Sequence, residues 1–235
     1  MDDYAVLTDS LLNIKKLNNY NLWIYENIKN ALGKNIIEIG CGIGTIIKLM
    51  LKKDNKITGV DINDKYIKFL TKYYKNEKNL KFIKSDIINL PKKVKGKIFD
   101  TVVMVNVLEH IKDDDKALKI VNKLLKKNGK IALMVPAFNM LFGPLDKSVG
   151  HFRRYNKNQL KKLLIRNGFI IQDIYYMNFI GFFGWFLNVR LLRKDYTPQK
   201  QSYFFDKFFV PIIKRIEKFL KPPFGQSIIA IAIKK

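Results

Sequence analysis

The sequence has one cysteine, Cys41, in 235 residues. That excludes a disulfide framework and any cysteine-cluster metal site, and it favours a reducing compartment. Histidine is almost as scarce, with only His110 and His151. No metal-ligand constellation is visible along the chain, so no metal is expected. Long apolar runs are also missing: the longest candidate, 178–192, holds about 15 residues, too few to cross a bilayer. No apolar stretch follows Met1-Asp2-Asp3-Tyr4, so no secretory signal is expected and the expected setting is cytoplasmic. Acidic residues number 20 against 44 Lys and Arg, a formal charge of +24. Only six of those 44 are arginines (153, 154, 166, 190, 193 and 215), and lysine, isoleucine and asparagine are abundant everywhere. The charge therefore reads as composition bias over solvated faces, not as an arginine-rich nucleic-acid surface.

What is present is an apolar content of 48% in a length that suits one α/β domain with a sizeable core. The chain is organised around residues 36–45, Ile-Ile-Glu-Ile-Gly-Cys-Gly-Ile-Gly-Thr. A short apolar strand with one acid, Glu38, runs into three alternate glycines and then a helix start at 46–51. Backbone can approach a ligand closely at such a turn, and the free N–H groups and helix dipole favour an anionic group. The spacing of Gly40, Gly42 and Gly44 is G-x-G-x-G, with Thr45 where the third glycine of the dinucleotide fingerprint would fall.

The stretch from Glu38 to Gly44 resembles the first motif of the class I S-adenosylmethionine (SAM) methyltransferases. The following segments keep the pattern. A second strand, 56–60, ends at Asp61, 17 residues after Gly44, where an α/β nucleoside site places a carboxylate for two ribose hydroxyls. A helix N-cap for residues 65–74 is the rival role for Asp61. Strand three, Leu80–Lys84, leads to Ser85-Asp86-Ile87, and Asp86 matches the family position that bonds the adenine amino group; a turn aspartate is the alternative. Phe99–Val105 is a β-branched fourth strand continuing into Asn106-Val107-Leu108-Glu109-His110, which resembles the family's fourth motif.

The resemblance implies an α/β fold with a doubly wound seven-stranded sheet, mostly parallel with the last strand antiparallel, and helices on both faces. It implies SAM as cofactor, held by Glu38, Gly40, Cys41, Gly42, Gly44, Asp61, Ile62, Asp86, Ile87, Asn106 and Val107. His110 is either a site residue or a packing and capping residue. Residues 9–32 have helical spacing, and Asn19–Trp23 resembles the N-terminal helix that lies across the cofactor in many small-molecule methyltransferases. Tyr20 is therefore a candidate substrate contact, with aromatic core packing as the alternative.

Further on, 113–126 is expected to be a helix stopped by Asn128-Gly129, and 130–135 a fifth strand. A loop at 137–150 precedes Gly150-His151-Phe152-Arg153-Arg154-Tyr155, which resembles a subgroup of bacterial and archaeal methyltransferases loosely associated with glycan or lipid-linked substrates. Arg153 and Arg154 suit an anionic acceptor, with Tyr155 beside them, and His151 suits proton transfer from an attacking hydroxyl. The opposing reading fixes this loop by internal ion pairs, for example with Asp146.

A helix at 156–167 and strands at 169–176 and 227–233 complete the sheet. Between the last two strands, an insertion at 177–225 carries nine basic and three acidic residues, and 13 of the chain's 30 aromatics fall between Tyr175 and Phe209. At 204–220, Phe205, Phe208, Phe209, Ile212, Ile216 and Phe219 share one helical face and Lys207, Lys214, Arg215 and Lys218 the other. This segment is a lid on the core or an interfacial helix on an anionic membrane. One domain spanning 1–235 is expected to transfer a methyl group to oxygen of a small-molecule or lipid-linked saccharide or acidic acceptor. An RNA methyltransferase, suggested by a pI near 9.9, and a catalytically silent SAM-binding scaffold are the alternatives. The fourth strand lacks the Asn/Asp-Pro-Pro-Tyr/Phe signature of base-flipping amino methylators.

Overall fold

A computed structural model describes residues 16–51, 54–96, 98–195 and 198–235. Seven strands form one sheet: β1 (Asn35–Ile39), β2 (Lys56–Asp61), β3 (Leu80–Lys84), β4 (Phe99–Val105), β5 (Leu125–Pro136), β6 (Phe169–Met177) and β7 (Ser227–Lys234). Their order is β3-β2-β1-β4-β5-β7-β6. Neighbours from β3 to β5 pair in parallel, while β7 slots between β5 and β6 and is antiparallel to both. The expected sheet and its antiparallel last strand are thus present.

Period-two alternation splits each central strand between two cores, because successive side chains leave a strand on opposite faces. Val102 and Met104 of β4, Ile131 and Leu133 of β5, and Ile228 and Ala230 of β7 enter one cluster. Val103, Ala132, Met134, Ile229 and Ile231 enter the other. Helices α1 (Asn18–Ile28), α2 (Thr45–Met50) and α3 (Asp64–Tyr73) serve the second cluster, and α5 (Asp114–Leu124) and α7 (Lys157–Arg166) the first. A short helix, α4 (Leu90–Val94), lies between β3 and β4 and feeds the first. With both faces covered, all four of β1, β4, β5 and β7 are buried, and ligands are left the carboxyl edge where the strand order reverses beside β1.

Three boundaries differ from expectation. The helix before β5 ends at Leu124, and β5 begins at once, pairing Leu125 with Phe99 before the register jumps to Lys130 opposite Thr101. Asn128 (φ 61°) and Gly129 lie within that bulged strand and do not stop a helix. Lys126 ties the bulge down with an ion pair to Asp100 at 2.7 Å. The expected loop at 137–150 contains a 3-10 turn, Asn139–Leu141, and a short helix, α6 (Pro144–Ser148). Of the expected helix at 9–32, residues 9–15 lie outside those described; α1 and a 3-10 turn, Lys29–Ala31, account for the rest.

The insertion holds α8 (Phe179–Trp185), which continues as a π-helical stretch, Phe186–Leu191. A second rod runs as α9 (Gln199–Phe204), a π-helical segment Phe205–Phe209, and α10 (Val210–Phe219). Pro211 lacks an N–H donor, and the wider π turn just before it absorbs the lost bond. Asp206 fastens this rod to α1: it is buried and accepts from the N–H of Asn19 at 3.2 Å and of Tyr20 at 2.7 Å. No helix among the described residues is long and apolar enough to cross a membrane.

Candidate active site at the carboxyl edge of the sheet

The glycine turn leaves β1 with Gly40, Gly42 and Gly44 all at positive φ (72°, 51° and 77°), a conformation that strains residues with side chains. Gly40 is required twice over, because a Cβ there would stand 2.3 Å from Val107 Cγ2. The β4 loop therefore packs directly on the turn. Gly40 and Cys41 donate their N–H groups to Val60 O at 2.7 and 2.9 Å, which anchors the turn to β2. Asp61 Oδ2 accepts from the Gly42 N–H at 2.8 Å and Oδ1 from the Asn63 N–H at 2.8 Å. The N-cap of α3 is Asn63, whose side chain accepts from the Lys65 N–H, so the capping role weighed for Asp61 is filled by its neighbour.

Glu38 is the second acid of this pocket. It is buried, and its Oε2 has no hydrogen-bond partner among the described residues. Burial, then the charge of Asp61, holds its carboxyl well above the usual range. Burial and the same two acids raise the Cys41 thiol, so this cysteine is a packing residue, not a nucleophile. An orphaned carboxyl oxygen at a glycine turn fits a ligand carrying a cationic group.

Asp86 lies exposed after β3 with both oxygens taken by Asn89, from N–H at 2.8 Å and Nδ2 at 2.7 Å. These bonds hold its carboxyl below the usual range. Ile87 beside it is buried, whereas Ile62 after β2 is 63% exposed and free to cover a ligand. Asn106 sits at the end of β4 with φ 52° and donates its N–H to Met134 O.

A 3-10 turn, Leu108–His110, follows Val107 and meets the loop carrying His151. The rings of His110 and His151 stand edge to face with centroids 4.6 Å apart. His151 Nδ1 lies 2.8 Å from Asp146 Oδ1, so its Nδ1–H donates to the carboxylate and Nε2 is the ring nitrogen turned toward Glu109. Nε2 is 3.9 Å from Glu109 Oε1. Burial, then His151, pushes the His110 imidazole down to about 4, which leaves it neutral at pH 7. Burial pushes the Glu109 carboxyl up to about 8, against the charge of Arg154.

Two of the expected substrate contacts are corrected. Arg154 is 1% exposed: its Nε binds Asp146 at 2.8 Å, its Nη1 the Ala137 carbonyl at 3.2 Å, and its guanidinium covers the Trp185 ring. Tyr155 is fully buried, donating to Asp114 at 2.9 Å. Both brace the loop from inside, and at that burial neither side chain is exposed to clamp an acceptor. Arg153 is partly exposed but pairs with Asp114 at 2.8 Å. Burial raises the Asp146 carboxyl, and the bonds from His151 and the charge of Arg154 outweigh it, so Asp146 stays ionised. Tyr20 packs edge to face on Trp23 beside the second core, and burial pushes its phenol up to about 12.

Sequence reasoning singled out neither Glu109 nor the degree to which Asp146 organises the loop. His151, the neighbour of Glu109, is 42 residues further along the chain, and only the fold brings the two together, whereas Asp146 meets His151 and Arg154 within eight residues. A cavity of about 660 Å³ at the amino edge of the sheet, near Lys34, Lys56 and Lys81, touches none of these groups.

An α/β sheet that offers a left-handed glycine turn, an acid at the end of β1 and another at the end of β2 defines a nucleoside-cofactor protein of the doubly wound type. The chain belongs to the methyltransferase-domain family, the class I SAM-dependent methyltransferases, whose family model matches residues 30–178. It is similar to a ubiquinone biosynthesis O-methyltransferase of Idiomarina loihiensis, 28% identical over 119 residues covering 50% of this chain and 49% of that protein. It is also similar to an uncharacterized methyltransferase, YdaC, of Bacillus subtilis, 29% identical over 48% of this chain and 62% of the other. The chain thus spans about half the length of the first of these curated relatives. In fold it is similar to a SAM-dependent methyltransferase from Archaeoglobus fulgidus, TM-score 0.61 and 20% identity over 93% and 94% of the two chains. It is likewise similar to the N-methyltransferase NodS of Bradyrhizobium japonicum, solved with S-adenosylhomocysteine, TM-score 0.58 and 12% identity over 91% and 84%.

Proposed function

We propose that this chain transfers the methyl group of SAM to an oxygen of a small-molecule or lipid-linked acceptor that is acidic or a saccharide. The observation that carries the cofactor assignment is the buried, unpartnered Oε2 of Glu38 beside the three-glycine turn. The ammonium of SAM's methionine end is the cation that satisfies it. Asp61 then holds the ribose hydroxyls, Asp86, Ile62 and Ile87 surround the adenine, and Asn106 and Val107 flank the sulfonium.

SAM brings an already activated methyl group, so positioning supplies most of the rate; orientation alone is worth roughly 7–11 kcal/mol. The protein's remaining task is to activate the acceptor hydroxyl. His151 and His110, one turn beyond Val107, are the groups for it, with Asp146 orienting His151. The relatives named as O-methyltransferases support oxygen as the methylated atom.

The insertion supports delivery of that acceptor from a membrane. The apolar face at 204–220 does not close over the core: Phe208, Phe209, Ile212, Ile216 and Phe219 are between 41% and 77% exposed. The rod docks through Val210, Ile213 and Asp206 instead. Lys207, Arg215 and Lys218 border the exposed face, and basic residues around a Phe/Ile/Leu strip are the pattern of a helix lying in an anionic interface. This favours the interfacial reading over the lid. The test is incubation with methyl-labelled SAM and separate pools of lipid-linked saccharides, isoprenoid acids and water-soluble acids. Label is expected in an organic-extractable product; labelling confined to water-soluble acceptors would remove the lipid part.

A further inference from the structure

We infer that Glu109, His110 and His151 form a binding site for a divalent transition-metal ion of the Zn2+ type, beside the acceptor end of the β4 loop. One ligand atom from each of the three lies within 4.8 Å of the others. A tetrahedral ion with bonds of roughly 2.0–2.2 Å sets its donors about 3.4 Å apart, so small side-chain rotations close the set. The inference rests on this cluster alone and does not require SAM binding.

Two observations point to an ion instead of simple packing. Glu109 is fully buried, and neither of its carboxyl oxygens has a hydrogen-bond partner among the described residues. Buried carboxylates are otherwise paired or ligating. Secondly, Asp146 holds His151 by Nδ1, leaving Nε2 as the ring nitrogen that faces Glu109. A carboxylate behind an imidazole is the arrangement that orients metal-bound histidines. Arg154 does not oppose the ion strongly, because its own charge is matched by Asp146.

The donor set of two imidazoles and one carboxylate selects among metals. It suits Zn2+, Co2+ or Fe2+, whereas Mg2+ and Ca2+ seek oxygen ligands. Gly150 offers the way in: it is exposed, sits at φ 80°, and a Cβ there would stand 3.9 Å from His110 Nδ1. Three protein ligands leave a coordination position open. An acceptor hydroxyl bound there loses its proton to solvent more easily. Its oxygen then forms the new C–O bond as the methyl C–S bond breaks, releasing S-adenosylhomocysteine.

The test is titration of chelator-treated, SAM-free protein with Co2+ and Zn2+, with Mg2+ as the control. One Co2+ per chain is expected, with the visible bands of a four- or five-coordinate ion, displaced by Zn2+ and not by Mg2+. Glu109→Gln and His110→Gln, checked for folding by circular dichroism, should each weaken Co2+ binding by tenfold or more. Absence of saturable Co2+ and Zn2+ binding overturns the inference. So do bands and affinity that survive both substitutions, which would mark binding elsewhere on the chain.

Discussion

Asp61 Oδ2 accepts the backbone N–H of Gly42 at 2.8 Å, so the acid that ends β2 is locked to the glycine turn that follows β1. Together with the bonds from Gly40 and Cys41 to Val60 O, this bond fixes the relative position of two ligand-binding elements from neighbouring strands. Asp61→Ala removes it together with the proposed ribose contact. The expected outcome is loss of SAM affinity by about tenfold or more, with a stability cost of about 1–3 kcal/mol, since charged hydrogen bonds of this kind are worth that much. Calorimetric titration and urea unfolding of the same variant separate the two effects. Unchanged SAM affinity would remove the ribose assignment.

Gly40→Ala tests the close approach of the β4 loop. The substitution combines a left-handed backbone, costing roughly 1–2 kcal/mol for a residue with a side chain, with a Cβ 2.3 Å from Val107. Destabilisation of more than about 2 kcal/mol in denaturant unfolding is expected, and Gly40→Ala/Val107→Ala should recover part of it. No recovery in the double variant would mean that backbone strain alone sets the cost.

Glu38 gives a pH dependence with a defined sign. Its folded-state carboxyl titrates well above the ordinary 4.5, so it keeps its proton in the folded protein where the unfolded chain has lost it. Its contribution to stability is complete below pH 4.5 and is lost as pH rises through the folded value. Glu38→Gln should flatten that decline in a series of melting temperatures. Pairing with the ammonium of SAM requires the ionised form, so binding at a pH between 4.5 and the folded value should release a proton. The observable is a binding enthalpy that varies with the ionisation heat of the buffer, and an enthalpy independent of buffer contradicts the pairing.

Arg154→Met tests the buried brace. Removing the guanidinium strands Asp146 as a buried charge, and breaking such a pair typically costs 3–5 kcal/mol. The expected result is a large loss of stability in denaturant unfolding. A variant that stays fully stable yet loses acceptor binding would return Arg154 to the substrate site.

The exposed strip predicts membrane behaviour. Phe208→Ser combined with Ile212→Ser and Phe219→Ser removes apolar surface that is at least half exposed and should leave folding intact. Flotation with vesicles rich in anionic lipid should recover the unmodified protein and lose the triple variant. Neutral vesicles should bind more weakly. Equal flotation of both proteins contradicts an interfacial role for this face.

Much of this fold was legible because strand burial is written in the sequence. The β-branched run Phe99–Val105 and the strand Leu80–Lys84 appear with the expected bounds, and the apolar stretch around Glu38 is β1. The glycine turn was legible for the same local reason, since alternate glycines imply left-handed backbone. What was hidden depended on tertiary pairing. Gly129 reads locally as a helix stop, and only the pairing of Leu125 with Phe99 turns it into a strand bulge. Arg154 and Tyr155 look like surface recognition groups until Asp146 and Asp114 are seen to meet them inside. The three possible ligands Glu109, His110 and His151 are split by 40 residues, a separation that no local pattern bridges.

The central claim is that the carboxyl edge between β1, β2 and β4 binds SAM. Isothermal titration of the purified chain with SAM and with S-adenosylhomocysteine, using NAD as the control, tests it directly. Micromolar binding of the first two at one site per chain, and none of NAD, is the predicted result. Failure of both to bind, from protein shown to be folded, would contradict the account.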